Sequence, residues 1–186
     1  VDLTNQEQEA ITTLRGGDIQ GLETLVRLHQ LQAVRSAYAI TGSRQAAEDV
    51  VADAFLRVYE RIHQYDSRRA FTPWFYRIVV NGALKAVRNT RRTHSSDDLD
   101  MEWLKDQASE SPGPEEEAAT REMRLLLLSA IYTLPPHQRA VVVLRYYLDM
   151  DEATMAQTLG CPLGTVKWRL HAARQRLRRT LTPELG

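Results

Sequence analysis

Asp151-Glu-Ala-Thr-Met-Ala156-Gln-Thr-Leu-Gly160-Cys-Pro162-Leu-Gly-Thr-Val166-Lys-Trp-Arg-Leu170-His-Ala-Ala-Arg174 reads as a helix, a turn and a second helix. Ala156 is small enough for two helices to cross closely. Gly160 ends the first helix where a positive φ is wanted. Pro162 can open the second, its φ already fixed. Val166, Leu170, Ala173 and Leu177 recur at helical spacing and give that helix one apolar face. Its other positions carry Lys167, Arg169, Arg174, Arg176, Arg178 and Arg179, with no acid among them. A basic helix presented by a compact turn suits the major groove of DNA. The plainer alternative is a surface hairpin with solvated arginines, since cations also favour a helix C-terminus.

Outward from this motif, charge is distributed unevenly. The 186 residues carry 24 basic and 24 acidic side chains. Residues 1–92 are net +3, residues 93–122 net −8 and residues 123–186 net +5. Two basic blocks flanking an acidic stretch point toward nucleic acid. Composition is that of a globular protein. No run of about 18 apolar residues occurs, so no membrane insertion is expected. Val1 to Gln8 is polar and lacks a signal-peptide core. The single cysteine, Cys161, excludes an intrachain disulfide and fits a reducing, cytoplasmic location. Between two helices it reads as a small core residue rather than a reactive thiol.

The acidic stretch also reads as a linker. It contains Ser95-Ser-Asp-Asp98 and Ser109-Glu-Ser-Pro-Gly-Pro114, which resist both a helix and a core. Met101 and Trp103 suggest a short sticky element within it. Every periodic segment looks helical. Leu22 to Tyr38 forms one helix, broken at Gly42, with Ser43 as the next cap. Val51, Phe55, Val58 and Ile62 mark the following helix. After a loop at Asp66 to Arg69, Thr72 is placed as a cap with Pro73 at the first helical position. That helix carries Trp74, Phe75, Ile78 and Val79. A further helix is expected from about Glu117 to Thr133 and another from His137 to Leu148. The expected fold is all-α: two small helical domains, residues 1–92 and 118–186, joined by an acidic flexible linker at 93–117, the second holding the helix-turn-helix.

In the first domain, Arg77-Ile-Val-Val-Asn81-Gly-Ala-Leu-Lys85-Ala-Val-Arg88 follows three aromatics and precedes Arg91-Arg92. Aromatics stack on unpaired bases, an amide bonds a base edge, and Lys or Arg follow phosphates. The mixture suits single-stranded DNA, although Trp74 and Phe75 at helical spacing read more readily as core. Glu48, Asp49 and Asp53 give the preceding helix an acidic start, which favours its dipole. They read equally as a solvated face or as a dock for a basic partner.

At this point the chain resembles a bacterial RNA polymerase sigma factor of the extracytoplasmic-function (ECF) group. Three blocks carry the resemblance: Ala47-Glu-Asp-Val-Val-Ala-Asp-Ala-Phe-Leu-Arg-Val-Tyr59, Phe71-Thr-Pro-Trp-Phe-Tyr-Arg-Ile-Val-Val-Asn81, and Leu134-Pro-Pro-His-Gln-Arg-Ala-Val-Val-Val-Leu-Arg-Tyr146 with the helix-turn-helix. The resemblance implies that the first domain binds the clamp helices of the largest polymerase subunit, through Glu48, Asp49, Asp53 and Leu56. Phe55 falls on the same motif but also fits a core. It implies that the opened minus-ten strand meets Tyr65, Arg68, Arg69, Trp74, Asn81, Lys85 and Arg88, with Asn81 capturing a base and the loop from Tyr65 to Ala70 holding a flipped one. It places Thr165, Lys167, Trp168, Arg169, His171 and Arg174 on the helix reading the minus-thirty-five duplex. Partners implied are core polymerase (clamp helices and flap), promoter DNA and an anti-sigma factor.

The chain departs from the family pattern at three places. Ala52-Asp53 stands where Gln-Glu is usual, Lys85 where an Asp is usual, and Trp168 where a small residue is common. Trp168 can add an apolar contact to a thymine methyl. Two other functions compete. One is a transcription regulator that recruits no polymerase through its first domain. The other is an enzyme; but His29, His63, His94, His137 and His171 are scattered, and no phosphate loop or carboxylate pair is present. No catalytic residue, metal ligand or cofactor is therefore assigned.

Overall fold

The computed structural model describes residues 3–93 and 114–182. Among them are helices and short turns, without strands, arranged as two helical domains. The first comprises α1 (Leu3–Arg15), α2 (Gln20–Thr41), α3 (Arg44–Arg61), a 3-10 turn (Ile62–Gln64) and α4 (Phe71–Thr93). Gly42 ends α2 with φ 74°, and the Ser43 hydroxyl accepts the Ala46 N–H at 3.3 Å to start α3, as the sequence implies.

The apolar periodicity that starts at Leu22 misses α1. Among the residues of that segment whose burial is described, only Ala10, Ile11 and Leu14 are buried hydrophobics, too few to show a period. Packing against α2 supplies what local sequence does not. A Cβ on Gly21 would lie 2.3 Å from the Ala10 carbonyl oxygen, so the crossing requires glycine. Gly21→Ala is expected to cost about 1–3 kcal/mol through overpacking. Thermal unfolding reads this; an unchanged midpoint would mean that α1 is not seated there. The start of α4 also differs from expectation, at Phe71 rather than after a Thr72 cap. Pro73 still falls in the first turn, where its missing N–H breaks no intrahelical bond.

The second domain comprises α5 (Pro114–Tyr132), α6 (Pro136–Val142) running into one π-turn (Val143–Tyr147), α7 (Glu152–Leu159) and α8 (Leu163–Leu181). Helix α5 starts three residues earlier than expected, inside the segment read as linker. Pro114 suits a first helical position. Residues 94–113, including the acidic run at Asp97-Asp98 and the Met101–Trp103 element, lie outside the described residues.

The two domains pack directly on each other. Helix α4 lies against α6 and α7, and α2 against α5 and α6. One apolar core continues across the boundary, from Val79, Val80 and Ala83 to Leu144, Met155 and Val166. The fit is close at Gly42, where a Cβ would lie 2.0 Å from the Tyr132 ring. The buried Arg139 guanidinium covers the same ring at 4.5 Å.

Candidate nucleic-acid interface

The helix-turn-helix forms as its sequence suggests, except that Pro162 stands at the N-cap, one residue before α8 begins. The Asp151 carboxylate accepts the Thr154 N–H at 2.8 Å to cap α7, and that bond holds its pKa below the usual range. Gly160 ends α7 with φ 60°. Val166, Leu170 and Ala173 are buried, which fixes the rotation of α8. Its opposite side is then displayed. Trp168 is 64% exposed and Lys167, His171 and Arg174 are exposed. His171 and Gln175 pair through side-chain nitrogens at 2.9 Å. Lys167 lies 3.8 Å from Glu152, a solvent-screened pair worth little.

Arg169 does not join that row. Two residues on from Lys167 is about 200° round the axis. Its guanidinium is half-buried, 3.8 Å from the Cys161 sulfur, and its charge is felt by His137, whose pKa is lowered first by burial and then by Arg169. Arg178, exposed and in register with Lys167, His171 and Arg174, takes its place in the row. The heptad-like step from His171 was the available signal. Thr165 is half-buried at the start of α8. Cys161 is half-buried against the core, as its position between helices suggests.

In the first domain, Trp74, Asn81, Lys85 and Arg88 share one stripe of α4, at steps of seven, four and three. Asn81, Lys85 and Arg88 are exposed and Trp74 half-buried. Arg77 is exposed one turn before Asn81 and extends the stripe; its i, i+4 step makes it readable from sequence. Beside the stripe, the loop from Tyr65 to Ala70 displays Arg68 and Arg69, 88% and 78% exposed at their side chains. Asp66 organises its tip, accepting Arg68 Nε at 3.0 Å and the Arg68 backbone N–H at 3.1 Å.

One aromatic assignment changes. Tyr65 is only 3% exposed, its ring 5.1 Å from Trp74 and 5.7 Å from Phe71. Its hydroxyl donates to the Arg69 carbonyl, and burial followed by the Glu7 charge raises its pKa. Tyr65 therefore shapes the loop rather than meeting a strand. Phe75 is fully buried, stacked near-parallel to Phe71 at 5.7 Å.

Helix α3 presents a different surface. Phe55 is buried against Phe75 at 4.9 Å and belongs to the core. Glu48, Asp49 and Asp53 are exposed, Glu48 paired with Arg44 at 2.8 Å. Leu56 and Tyr59 stand 59% and 51% exposed beside them. An apolar patch next to acids on a rigid helix is the composition of a protein-docking face. Sequence alone does not single out Tyr59, because an aromatic three residues from Leu56 reads as core until burial is known.

The two domains meet across a cleft of about 700 Å³, lined by Asn81, Leu84, Lys85, Val87 and Arg88 from α4 and by Pro136 and His137 from α6. This stripe of α4 thus faces the second domain. Among the described residues, no three His, Cys, Asp or Glu side chains gather as a metal site, and no helix is long and apolar enough to cross a membrane.

The family models described as Sigma-70 region 2 and Sigma-70, region 4 match residues 25–93 and 124–177. The chain is 26% identical over 179 residues to the ECF RNA polymerase sigma factor SigW of Bacillus subtilis, covering 94% of this chain and 96% of that one. It is 34% identical over 160 residues to the ECF RNA polymerase sigma factor SigE of Mycolicibacterium smegmatis, covering 84% and 60%. It is 28% identical over 187 residues to the ECF RNA polymerase sigma-E factor of Escherichia coli, covering 95% of each. Among solved structures, its fold is similar to CnrH in complex with the cytosolic domain of CnrY, with TM-score 0.67, 21% identity, and 95% and 97% covered. It is also similar to the sigma factor RpoE in complex with the anti-sigma factor NepR from Bartonella quintana, with TM-score 0.64, 18% identity, and 86% and 95% covered.

Proposed function

From the premise that this chain belongs to the ECF group of sigma-70 RNA polymerase sigma factors, we propose a division of labour among its surfaces. The chain directs core polymerase to specific promoters for transcription initiation; it is not an enzyme, and phosphodiester chemistry stays with the polymerase. In our reading the first domain, residues 1–92, docks on the clamp helices through Asp49, Asp53, Leu56 and Tyr59. The α4 stripe and the loop after α3 then hold the opened minus-ten strand. The second domain, residues 118–186, reads the minus-thirty-five duplex through α8 and touches the flap, and residues 93–117 link the two. The observation that carries this reading is the pair of exposed cationic faces, one interleaved with an amide and an aromatic, the other on a turn-presented helix.

The face of α8 gives a graded expectation. Lys167→Ala and Arg174→Ala should each weaken upstream-duplex binding, by about 1–3 kcal/mol with relaxed specificity where a base contact is lost. A lost phosphate contact weakens all sequences alike and lowers the salt dependence. Arg169→Ala should act less, since Arg169 lies beside Cys161 rather than in the row. Titration of labelled promoter duplex at moderate salt measures this. Unchanged binding in all three variants would remove α8 from the interface.

An anti-sigma partner acting in the cytoplasm completes the proposal. Both solved relatives above are named as complexes, with CnrY and with NepR. In the present arrangement Asn81, Lys85 and Arg88 face Pro136 and His137 across the cleft. A partner that holds the domains together would keep an opened strand from the stripe. A bacterial two-hybrid screen with the full chain tests for such a partner, and release of transcription on its removal tests its role.

A further inference from the structure

The loop that carries Arg68 and Arg69 is held at both ends, and one of the holds comes from outside the matched family region. Arg15, the last residue of α1, donates from Nε to the Ile62 carbonyl at 3.2 Å and from Nη2 to the Tyr65 carbonyl. Its guanidinium also lies 5.9 Å from the Tyr65 ring centre. At the far end, the Tyr65 hydroxyl donates to the Arg69 carbonyl. The chain between these points is closed by the Arg69 N–H to Asp66 carbonyl bond at 3.0 Å. Arg15 thus fixes the residue that in turn fixes the loop's exit.

We propose that Arg15 is a positioning residue for base discrimination in the opened minus-ten strand, acting through Tyr65 on the loop 65–70. The inference rests on the reading of that loop as a strand contact. It lies beyond the family match, which begins at residue 25. Three features make the brace effective. Arginine offers donors in a fixed planar fork, so two carbonyls are held at a defined separation; a lysine presents one compact charge. The two carbonyls belong to Ile62 and Tyr65, both buried, so neither has water as an easy substitute. The base of the brace is itself rigid, since Gly21 lets α1 lie directly on α2, and Glu7 of α1 reaches within 2.8 Å of His29, whose ring sits 5.4 Å from Phe71 and 5.7 Å from Phe75. Displacement of the loop by a fraction of an ångström leaves the domain folded but misplaces Arg68 and Arg69.

The test uses holoenzyme assembled from core polymerase and the full chain. The probe is a forked DNA unpaired across the minus-ten element of a promoter obtained by run-off selection. Affinity for the selected base over its substitutes is measured at each unpaired position. Arg15→Ala is expected to lower that ratio about tenfold at one position, the equivalent of one charge-assisted bond's influence. Core affinity and minus-thirty-five duplex affinity should be unchanged. Arg15→Lys should recover part of the ratio, and Tyr65→Phe, which keeps the ring and removes the hydroxyl, should lower it in the same direction. An unchanged ratio in Arg15→Ala overturns the proposal, as does a uniform loss at every position that tracks a lowered melting temperature. Arg68→Ala with Arg69→Ala separates the two levels. If this pair lowers the ratio while Arg15→Ala does not, only the positioning role fails; if neither does, the loop reading fails with it.

Discussion

Holoenzyme carrying Asn81→Ala should open a duplex promoter about 5- to 150-fold more slowly than wild type, the rate equivalent of about 1–3 kcal/mol from a lost bidentate base contact. A carboxamide offers both a donor and an acceptor, so it reads a base edge that pairing otherwise hides. Asn81 is exposed on α4, with Arg77 one turn before it and Lys85 and Arg88 after it on the same stripe. In the proposed reading those cations hold the strand while the amide tests one base. Because the side chain is exposed, removing it leaves no buried polar group unpaired, and the melting temperature and core affinity should stay unchanged. A pre-melted bubble should restore opening, while discrimination at the captured base stays impaired. Normal initiation on duplex DNA, or a markedly lower melting temperature, would place Asn81 in the scaffold instead.

Reversing two charges on α3 is expected to have a comparably large effect on assembly. Asp49→Arg with Asp53→Arg should weaken core-polymerase binding by at least about tenfold, since like charges set against a complementary surface cost several kcal/mol. Both carboxylates are exposed on the helix whose inner face buries Val51, Ala54, Phe55 and Val58, so the reversal leaves the core intact. Leu56→Ala should add to the loss, because its exposed side chain sits where water would be displaced on docking. The effect should diminish with added salt to the extent that the contacts lie at the rim. Competition against unlabelled wild-type protein measures it, and unchanged affinity would remove α3 as the dock.

What was legible in the sequence was decided by local chemistry. Gly42 and Ser43 mark a helix end and a helix start because a left-handed residue and a capping hydroxyl are needed there. Gly160 and the Val166–Leu170–Ala173 period mark the helix-turn-helix for the same kind of reason. What was not legible depended on partners distant in the chain. Helix α1 has, among its described side chains, three buried apolar residues, and its seat depends on Gly21. Tyr65 and Trp74 carry similar aromatic signals, yet Tyr65 is enclosed while Trp74 keeps partial access. Arg169 and Lys167 look alike in sequence, but a helical step of two puts them on separate flanks. The packing of α4 on α7, and with it the cleft facing Asn81, follows from apolar faces that periodicity assigns to a core without saying whose.

The division of labour is tested most directly by run-off transcription on a library randomised across both promoter elements, comparing wild type with Asn81→Ala and Lys167→Ala. The account predicts that wild-type holoenzyme selects two separate sequence elements. Asn81→Ala should lose selectivity at one position of the downstream element and keep the upstream one, and Lys167→Ala should do the reverse. Equal loss at both elements in either variant, or selection that ignores both substitutions, would contradict it.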